Sequence, residues 1–159
     1  NPELNPDFIF AFPSYNMRNN ELGGILGLNQ LPELDKNVIL RNRNHERFIS
    51  QLDSSKYFTE FKMEGASNYA FNLILREKND SLCEKLMNTM RAEGIEFRRG
   101  SAGGGNQLRQ PYMKSRLAYD FHKYYPVTEH IHFYGFYIGN FPSMQESEVD
   151  EIVKILNGV

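Results

Sequence analysis

The stretch Tyr69-Ala70-Phe71-Asn72-Leu73-Ile74-Leu75 is the clearest strand in the sequence, because its aromatic and β-branched residues suit a pleated sheet. Residues 57–63 have the same character and predict a second strand just before it. Residues 95–98 and 136–139 predict two further, shorter strands. A sheet therefore forms the expected framework of this part of the chain.

Two predicted helices alternate with these strands, and each begins at a capping box. Ser81-Leu82-Cys83-Glu84 and Ser143-Met144-Gln145-Glu146 both place side-chain oxygens where they satisfy free amides at a helix start. Gly94 ends the first helix. The inward-facing apolar residues are Leu82, Leu86 and Met90 in the first helix, and Val149, Ile152, Val153 and Leu156 in the last. The order ββαβ, loop, αβα predicts an α/β domain with an antiparallel sheet covered on one face by helices.

Two further helices are predicted ahead of the sheet. Asn19 or Asn20 caps a short helix that begins near Glu21, and Pro32 suits the first turn of a longer one over residues 32–52. The apolar stripe of the longer helix is interrupted by polar residues, since it runs Leu34, Val38, Arg41, His45, Phe48, Leu52. We therefore expect this face to meet another domain or subunit.

Composition excludes several classes of function. The 159 residues carry a net charge of -2, which offers no general attraction for nucleic acid or an anionic membrane. No apolar run approaches the roughly 20 residues that span a bilayer, and the first residues lack the features of a signal peptide. The single cysteine, Cys83, cannot form an internal disulfide and fits a reducing cytoplasm.

A glycine-rich segment at residues 100–106 is the most unusual stretch of the chain. Its glycines allow close backbone approach and offer amides to an anion, although composition alone favours a flexible connection. It has neither the Lys-Ser/Thr of a P-loop nor the spacing of a dinucleotide site. Arg98, Arg99 and Arg109 flank it and suit a diphosphate ligand, with solvated surface charge as the alternative.

His130-x-His132 is the only histidine pair with a spacing that suggests a metal. On a strand both rings would share one face, which zinc could use. No third ligand lies at a suitable spacing, so a structural or hydrogen-bonding role is favoured and no metal site is predicted.

A longer motif resembles a known family. Phe12-Pro13-Ser14-Tyr15-Asn16-Met17-Arg18-Asn19-Asn20-Glu21-Leu22, followed by Gly27-Leu28-Asn29-Gln30-Leu31 and Leu34-Asp35, resembles the G-Y-N-x-R-x-x-[DE]-[LI] … G-x-x-Q-L-x-x-L-D run of the DegT/StrS family. These are fold-type-I pyridoxal phosphate enzymes that act on nucleotide-linked keto-sugars. The resemblance implies that residues 1–52 end the large cofactor domain and supply linking helices, and that residues 53–159 form the small C-terminal α/β domain.

A second stretch resembles one branch of that family. Gly104-Gly105-Asn106-Gln107-Leu108-Arg109-Gln110-Pro111-Tyr112 is similar to the G-N-x-x-R-Q-P-[YF] segment of the 3-dehydratases, which remove the C3 hydroxyl of a 4-keto-6-deoxy sugar nucleotide. The resemblance implies that Gly105, Asn106 and Arg109 face the substrate. It also implies that Asn16 reaches the cofactor phosphate of a partner subunit in a homodimer, with Arg18 close by.

The implied cofactor is pyridoxal or pyridoxamine phosphate, with glutamate as amino donor. In the family, the lysine or histidine that decides between transamination and dehydration precedes this motif, as would the iron–sulfur ligands of one dehydratase subtype. No catalytic residue is therefore assigned in this chain, and the chain alone is expected to be inactive. A sugar aminotransferase of the same fold, and a non-catalytic interaction domain, remain the alternatives.

Overall fold

The structure is a computed structural model that describes Phe12, Tyr15 and residues 19–99, 105–116 and 121–159. It divides into two compact units after Leu34. The first contains helix α1 (Glu21–Gln30) and a 3-10 turn, Leu31–Glu33. Asn20 caps α1, since its side chain accepts a 2.9 Å hydrogen bond from the Gly23 amide, and no residue of α1 is buried. The predicted helix start is thus confirmed. Within the described residues, no helix has the length and apolarity needed to cross a membrane.

Helix α2 (Leu34–Gln51) carries the predicted stripe, but its second half is more deeply buried than expected. His45 and Phe48 are fully buried, and Phe48 stacks on Phe71 with ring centroids 4.5 Å apart. From His45 onwards this face therefore packs into a dry core, which the prediction had excluded, and the residues it meets there, such as Phe71, belong to the domain predicted over residues 53–159. A neutral imidazole packs well between aromatic rings, so a polar residue in the stripe did not exclude a core.

Three strands form the sheet within the described residues: β1 (Ala70–Ile74), β2 (Phe97–Arg99) and β3 (Gly135–Gly139). Their order is β1-β3-β2, and both pairings are antiparallel. The register sets Ile138 of the central strand opposite Phe71 on one side and Phe97 on the other. The strand predicted at residues 69–75 and those near 95–98 and 136–139 are therefore confirmed in position.

The strand predicted at residues 57–63 is wrong. Only Tyr57 makes a bridge, to Leu75, while its hydroxyl donates to the Leu156 carbonyl at 2.7 Å in the core. Beyond it, the rings of Phe58 and Phe61 meet edge to face at 5.1 Å. A strand would place residues three apart on opposite faces. The aromatic side chains of this segment therefore pack on one another and into the core without forming a strand.

One face of the sheet packs against helices α2, α3 (Asp80–Ala92) and α6 (Glu146–Asn157). Alternation along the strands decides which side chains enter this core, because successive residues of a strand point to opposite faces. The other face carries the exposed Asn72 and Arg98 and the half-buried Tyr137. The helix-covered antiparallel sheet is thus the predicted architecture. The buried cluster comprises Phe48, Leu52, Tyr57, Phe71, Leu73, Leu75, Cys83, Leu86, Met90, Phe136, Ile138, Val149, Val153 and Leu156.

Neither helix begins at its predicted capping box, and each N-cap lies two residues from the predicted one. Asn79 caps α3, with its side chain accepting from the Leu82 amide at 2.9 Å, so Ser81 lies inside the first turn. For α6 the box is formed by Gln145 and Glu148. Asparagine competes well with serine at this position, because its side-chain oxygen reaches the same free amides.

Candidate functional site

The chain turns sharply at Gly105, the first described residue after β2. Gly105 has φ +85°, a conformation that favours glycine. Asn106 is only 2% exposed and begins a 3-10 turn, Gln107–Arg109, whose Leu108 amide donates to the Asn106 side-chain oxygen at 3.0 Å. A short helix α4 (Pro111–Lys114) follows. The predicted substrate residues therefore lie on one tight turn whose side chains are fixed by local hydrogen bonds.

Helix α5 (Pro126–Tyr134) faces this turn and supplies an acid that the sequence analysis missed. The Glu129 carboxylate accepts from Arg109 Nε at 2.8 Å (Oε1) and 3.0 Å (Oε2), and also from Arg109 Nη2. It accepts a further bond from the Asn106 side-chain amide at 2.7 Å. These donors hold the pKa of Glu129 at about 2, with the Arg109 hydrogen bonds as the largest cause. Glu129 is therefore the ionised centre that draws Asn106 and Arg109 together.

His132, one turn further along α5, holds the backbone of the same segment. The Asn106 amide donates to His132 Nδ1 at 3.1 Å, so the neutral ring carries its proton on Nε2. Burial, followed by the charge of Arg109, lowers the pKa of His132, which favours this neutral form. A Cβ at position 105 would lie 2.2 Å from Nδ1. Glycine is thus required at position 105 by its close approach to His132 as well as by its backbone angle.

The guanidinium of Arg109 also lies over the Phe133 ring, with its carbon 4.9 Å from the ring centroid. About a third of the Arg109 side chain is exposed, against 19% of that of Glu129. We call Asn106, Arg109, Glu129 and His132 the loop cluster. It presents a partly exposed cation with a preset orientation, which suits hydrogen bonding to phosphate or hydroxyl oxygens.

The other arginines flanking the glycine-rich segment do not all converge on this cluster. Arg99 donates to the Phe133 carbonyl at 2.7 Å and so lies near the loop cluster. Arg98 points to the open face of the sheet, where its Nη1 is 3.5 Å from the Tyr137 hydroxyl. Asn16, Arg18 and residues 100–104 lie outside the residues that the structure describes.

The histidine pair is on α5, so the strand geometry considered for His130 and His132 is wrong. Residues two apart on a helix do not face each other. His130 Nε2 forms a hydrogen bond with the Leu75 carbonyl at 2.6 Å, while His132 accepts one from the Asn106 amide. Among the described residues, no group of three or more His, Cys, Asp or Glu side chains could hold a metal ion.

Glu129, His132 and Phe133 stand at positions i, i+3 and i+4 of α5, which is one helix face. Pro126 at the first turn was the available signal for that helix. Reading residues 126–134 as helical would have aligned these three side chains, although it would not have identified their partner.

Comparisons with known proteins agree on one family and one fold. The profile of the DegT/DnrJ/EryC1/StrS aminotransferase family matches residues 5–157. A GDP-4-keto-6-deoxy-D-mannose 3-dehydratase from Escherichia coli O55:H7 is 24% identical over 155 residues, which are 97% of this chain and 39% of that protein. The chain thus spans about two-fifths of the length of that curated relative.

Solved structures of two activities share the fold. A crystal structure of GDP-4-keto-6-deoxymannose-3-dehydratase with a trapped PLP-glutamate geminal diamine has a TM-score of 0.79 at 24% identity, covering 94% of this chain and 39% of that one. A Streptococcus pneumoniae protein that carries the name sugar aminotransferase, in its PMP form, has a TM-score of 0.77 at 16% identity, covering 93% and 37%. These likenesses confirm the predicted fold class.

Proposed function

The chain belongs to the DegT/DnrJ/EryC1/StrS aminotransferase family, and from this membership we propose that it is the C-terminal part of a sugar-nucleotide 3-dehydratase. The proposed substrate is a nucleotide-linked 4-keto-6-deoxy sugar. The observation that carries the proposal is the similarity to a GDP-4-keto-6-deoxy-D-mannose 3-dehydratase along 97% of this chain. A nucleotide-sugar aminotransferase is the second candidate, favoured by the shared fold of the Streptococcus pneumoniae protein.

In this proposal, the loop cluster contributes to the substrate side of the active site. Arg109 directs charged N–H donors from a fixed position, because Glu129 binds it through two nitrogens. Asn106 is buried and shapes the turn, and Gly105 lets the backbone approach a ligand closely. Gly105, Asn106 and Arg109 thus bind and orient the sugar nucleotide, while the chemistry takes place on the cofactor.

We assign the cofactor phosphate to Asn16 and Arg18 by the same family motif. A side-chain amide and a guanidinium are both hydrogen-bond donors that suit phosphate oxygens, so the donor set fits the group. Bound pyridoxal or pyridoxamine phosphate would supply the electron sink and the amino group, with glutamate as donor. Because Asn16 is proposed to reach across a dimer, the complete protein is proposed to be a cytoplasmic homodimer, and this chain alone to be inactive.

The domain boundary is proposed after residue 52, which groups α2 with the linking helices. Phe48 of α2 is nevertheless buried in the core formed by residues 35–159. Helix α2 would therefore link the two domains while packing firmly on the small one. Residues 53–159 would then form the rest of that small C-terminal domain.

The reaction type is tested with the full-length protein, pyridoxal phosphate and glutamate labelled with heavy nitrogen. A 3-dehydratase converts a 4-keto-6-deoxy sugar nucleotide into a product that has lost one oxygen atom, and the label appears as free ammonia. An aminotransferase leaves the label in the sugar. Mass spectrometry of the sugar nucleotide distinguishes the two reactions. If neither product forms with any 4-keto sugar nucleotide, both candidate functions are contradicted.

A further inference from the structure

The ion pair in the loop cluster differs from the other arginine ion pairs in the described part of the chain. The carboxylates that pair with Arg47 and Arg76 are those of Asp150, Glu146 and Glu60, and their side chains are 39–60% exposed. The Glu129 side chain is 19% exposed. Exposed pairs contribute little to stability because water screens them, whereas a pair shielded from water holds its geometry more strongly.

The Glu129 carboxylate also accepts hydrogen bonds from more than one residue. One of its oxygens, Oε1, accepts from both Asn106 Nδ2 at 2.7 Å and Arg109 Nε at 2.8 Å. The Asn106 side chain in turn accepts from the Leu108 amide at 3.0 Å, which starts the turn that carries Arg109. One carboxylate thus fixes both the guanidinium and the backbone on which it stands.

An arginine side chain has several rotatable bonds, and ordering it on ligand binding costs affinity. A bidentate carboxylate removes that cost in advance, since it sets the plane of the guanidinium before the ligand arrives. The Phe133 ring, 4.9 Å from the guanidinium carbon, limits movement on another side.

We propose that Glu129 is a positioning residue for substrate binding, which holds Arg109 and Asn106 in the orientation that receives the sugar nucleotide. The inference rests on the proposed function, because it requires residues 105–109 to face the substrate. Glu129 itself touches neither substrate nor cofactor in this proposal and acts through Arg109.

The test compares four variants of the full-length protein. Glu129→Gln removes the negative charge at nearly constant shape, and Glu129→Asp keeps the charge on a shorter side chain. Arg109→Ala removes the proposed ligand-binding group. Glu60→Gln is the matched control, since Glu60 also accepts two hydrogen bonds from an arginine, Arg76, yet has no contact with the loop cluster.

Each variant is assayed for KM, kcat and melting temperature with the 4-keto sugar nucleotide, and for hydrogen exchange of the amides at 105–110. Glu129→Gln is expected to raise KM by on the order of tenfold while leaving kcat within about twofold. Its melting temperature should fall somewhat further than that of Glu60→Gln, because the Glu129 pair is better shielded from water, and exchange at 105–110 should accelerate. Glu129→Asp should recover part of the lost affinity.

The double variant Glu129→Gln/Arg109→Ala separates positioning from general stabilisation. If Glu129 acts through Arg109 and Asn106, the loss of substrate affinity in the double variant should be smaller than the sum of the two single losses, because interacting residues are not additive. Additive losses overturn the proposal. It is also overturned if Arg109→Ala raises KM and Glu129→Gln does not, in which case the proposed site stands. If neither raises KM, while Glu129→Gln still accelerates exchange at 105–110, the proposed substrate role of this segment fails as well.

Discussion

The buried His45 predicts a specific dependence of stability on pH. Its ring is 0% exposed and lies between Phe71, at 6.3 Å between ring centroids, and Phe61, at 6.0 Å. Neither ring nitrogen has a hydrogen-bond partner within the described part of the protein. Burial therefore lowers the pKa of His45 below the ordinary value of 6.5. The folded state accommodates the neutral ring and resists the charged one.

The direction of the effect follows from proton linkage. As pH falls below about 6.5, the unfolded chain takes up a proton that His45 in the folded chain does not, so stability decreases. The loss continues until pH reaches the lowered folded pKa, with a limiting slope of about 1.4 kcal/mol per pH unit. Above about pH 7.5 the histidine contributes no dependence. Between about pH 6.5 and 5.5 the free energy of unfolding should fall, by at most about 1 kcal/mol from this residue.

Urea unfolding of the chain and of its His45→Leu variant at several pH values measures this contribution. Leucine keeps the site apolar and does not titrate, whereas His132 and the carboxylates are common to both proteins. The difference in unfolding free energy should therefore shift in favour of the variant as pH falls, by at most about 1 kcal/mol over that unit. Parallel pH curves for the two proteins would show that His45 is not held neutral, and the reasoning from its burial would be wrong.

Four further expectations follow from the structure and the family motif. Gly105→Ala should destabilise the chain by about 1–2 kcal/mol through its backbone conformation, and further through the contact of the new Cβ with His132. Urea unfolding should therefore show a larger loss than for Gly65→Ala, because residue 65 has φ +75° but open space around the Cβ position. Tyr57→Phe should lose about 1–3 kcal/mol by the same measurement, because the buried Leu156 carbonyl loses its donor. Asn16→Ala in the full-length protein should weaken cofactor affinity by roughly tenfold to hundredfold, measured by cofactor dissociation; unchanged retention contradicts the assignment. The isolated 159-residue chain should show no cofactor absorbance band after gel filtration.

Local patterns in the sequence were sufficient for much of the fold. The strand at residues 69–75 and the helix that begins at Glu21 were recognisable because side-chain periodicity and capping operate over a few residues. The same reasoning failed at residues 57–63, where aromatic content resembles a strand although the Tyr57 hydroxyl donates to Leu156 and the Phe61 ring packs on Phe58 and His45. It also misplaced both helix N-caps by two residues, because several neighbouring polar residues are able to cap a helix.

The family motif was equally a property of the sequence, and the profile match over residues 5–157 confirms it. Asn16, Arg18, Gly105, Asn106 and Arg109 were selected by that motif, and their roles stay proposals. No local pattern indicated that Arg109 is paired, since a lone arginine in a glycine-rich segment looks the same whether it is solvated or bound.

Only the tertiary structure decided what surrounds that arginine. Glu129 lies 20 residues after Arg109 and 23 after Asn106, on helix α5. A hydrogen bond depends on distances of about 3 Å between atoms, and such distances between remote residues are set by the packing of whole elements. The sequence by itself determined the family, the main elements and the residues to inspect. The packing of α5 against the turn determined which acid orients them, because that contact exists only once the sheet and helices have assembled.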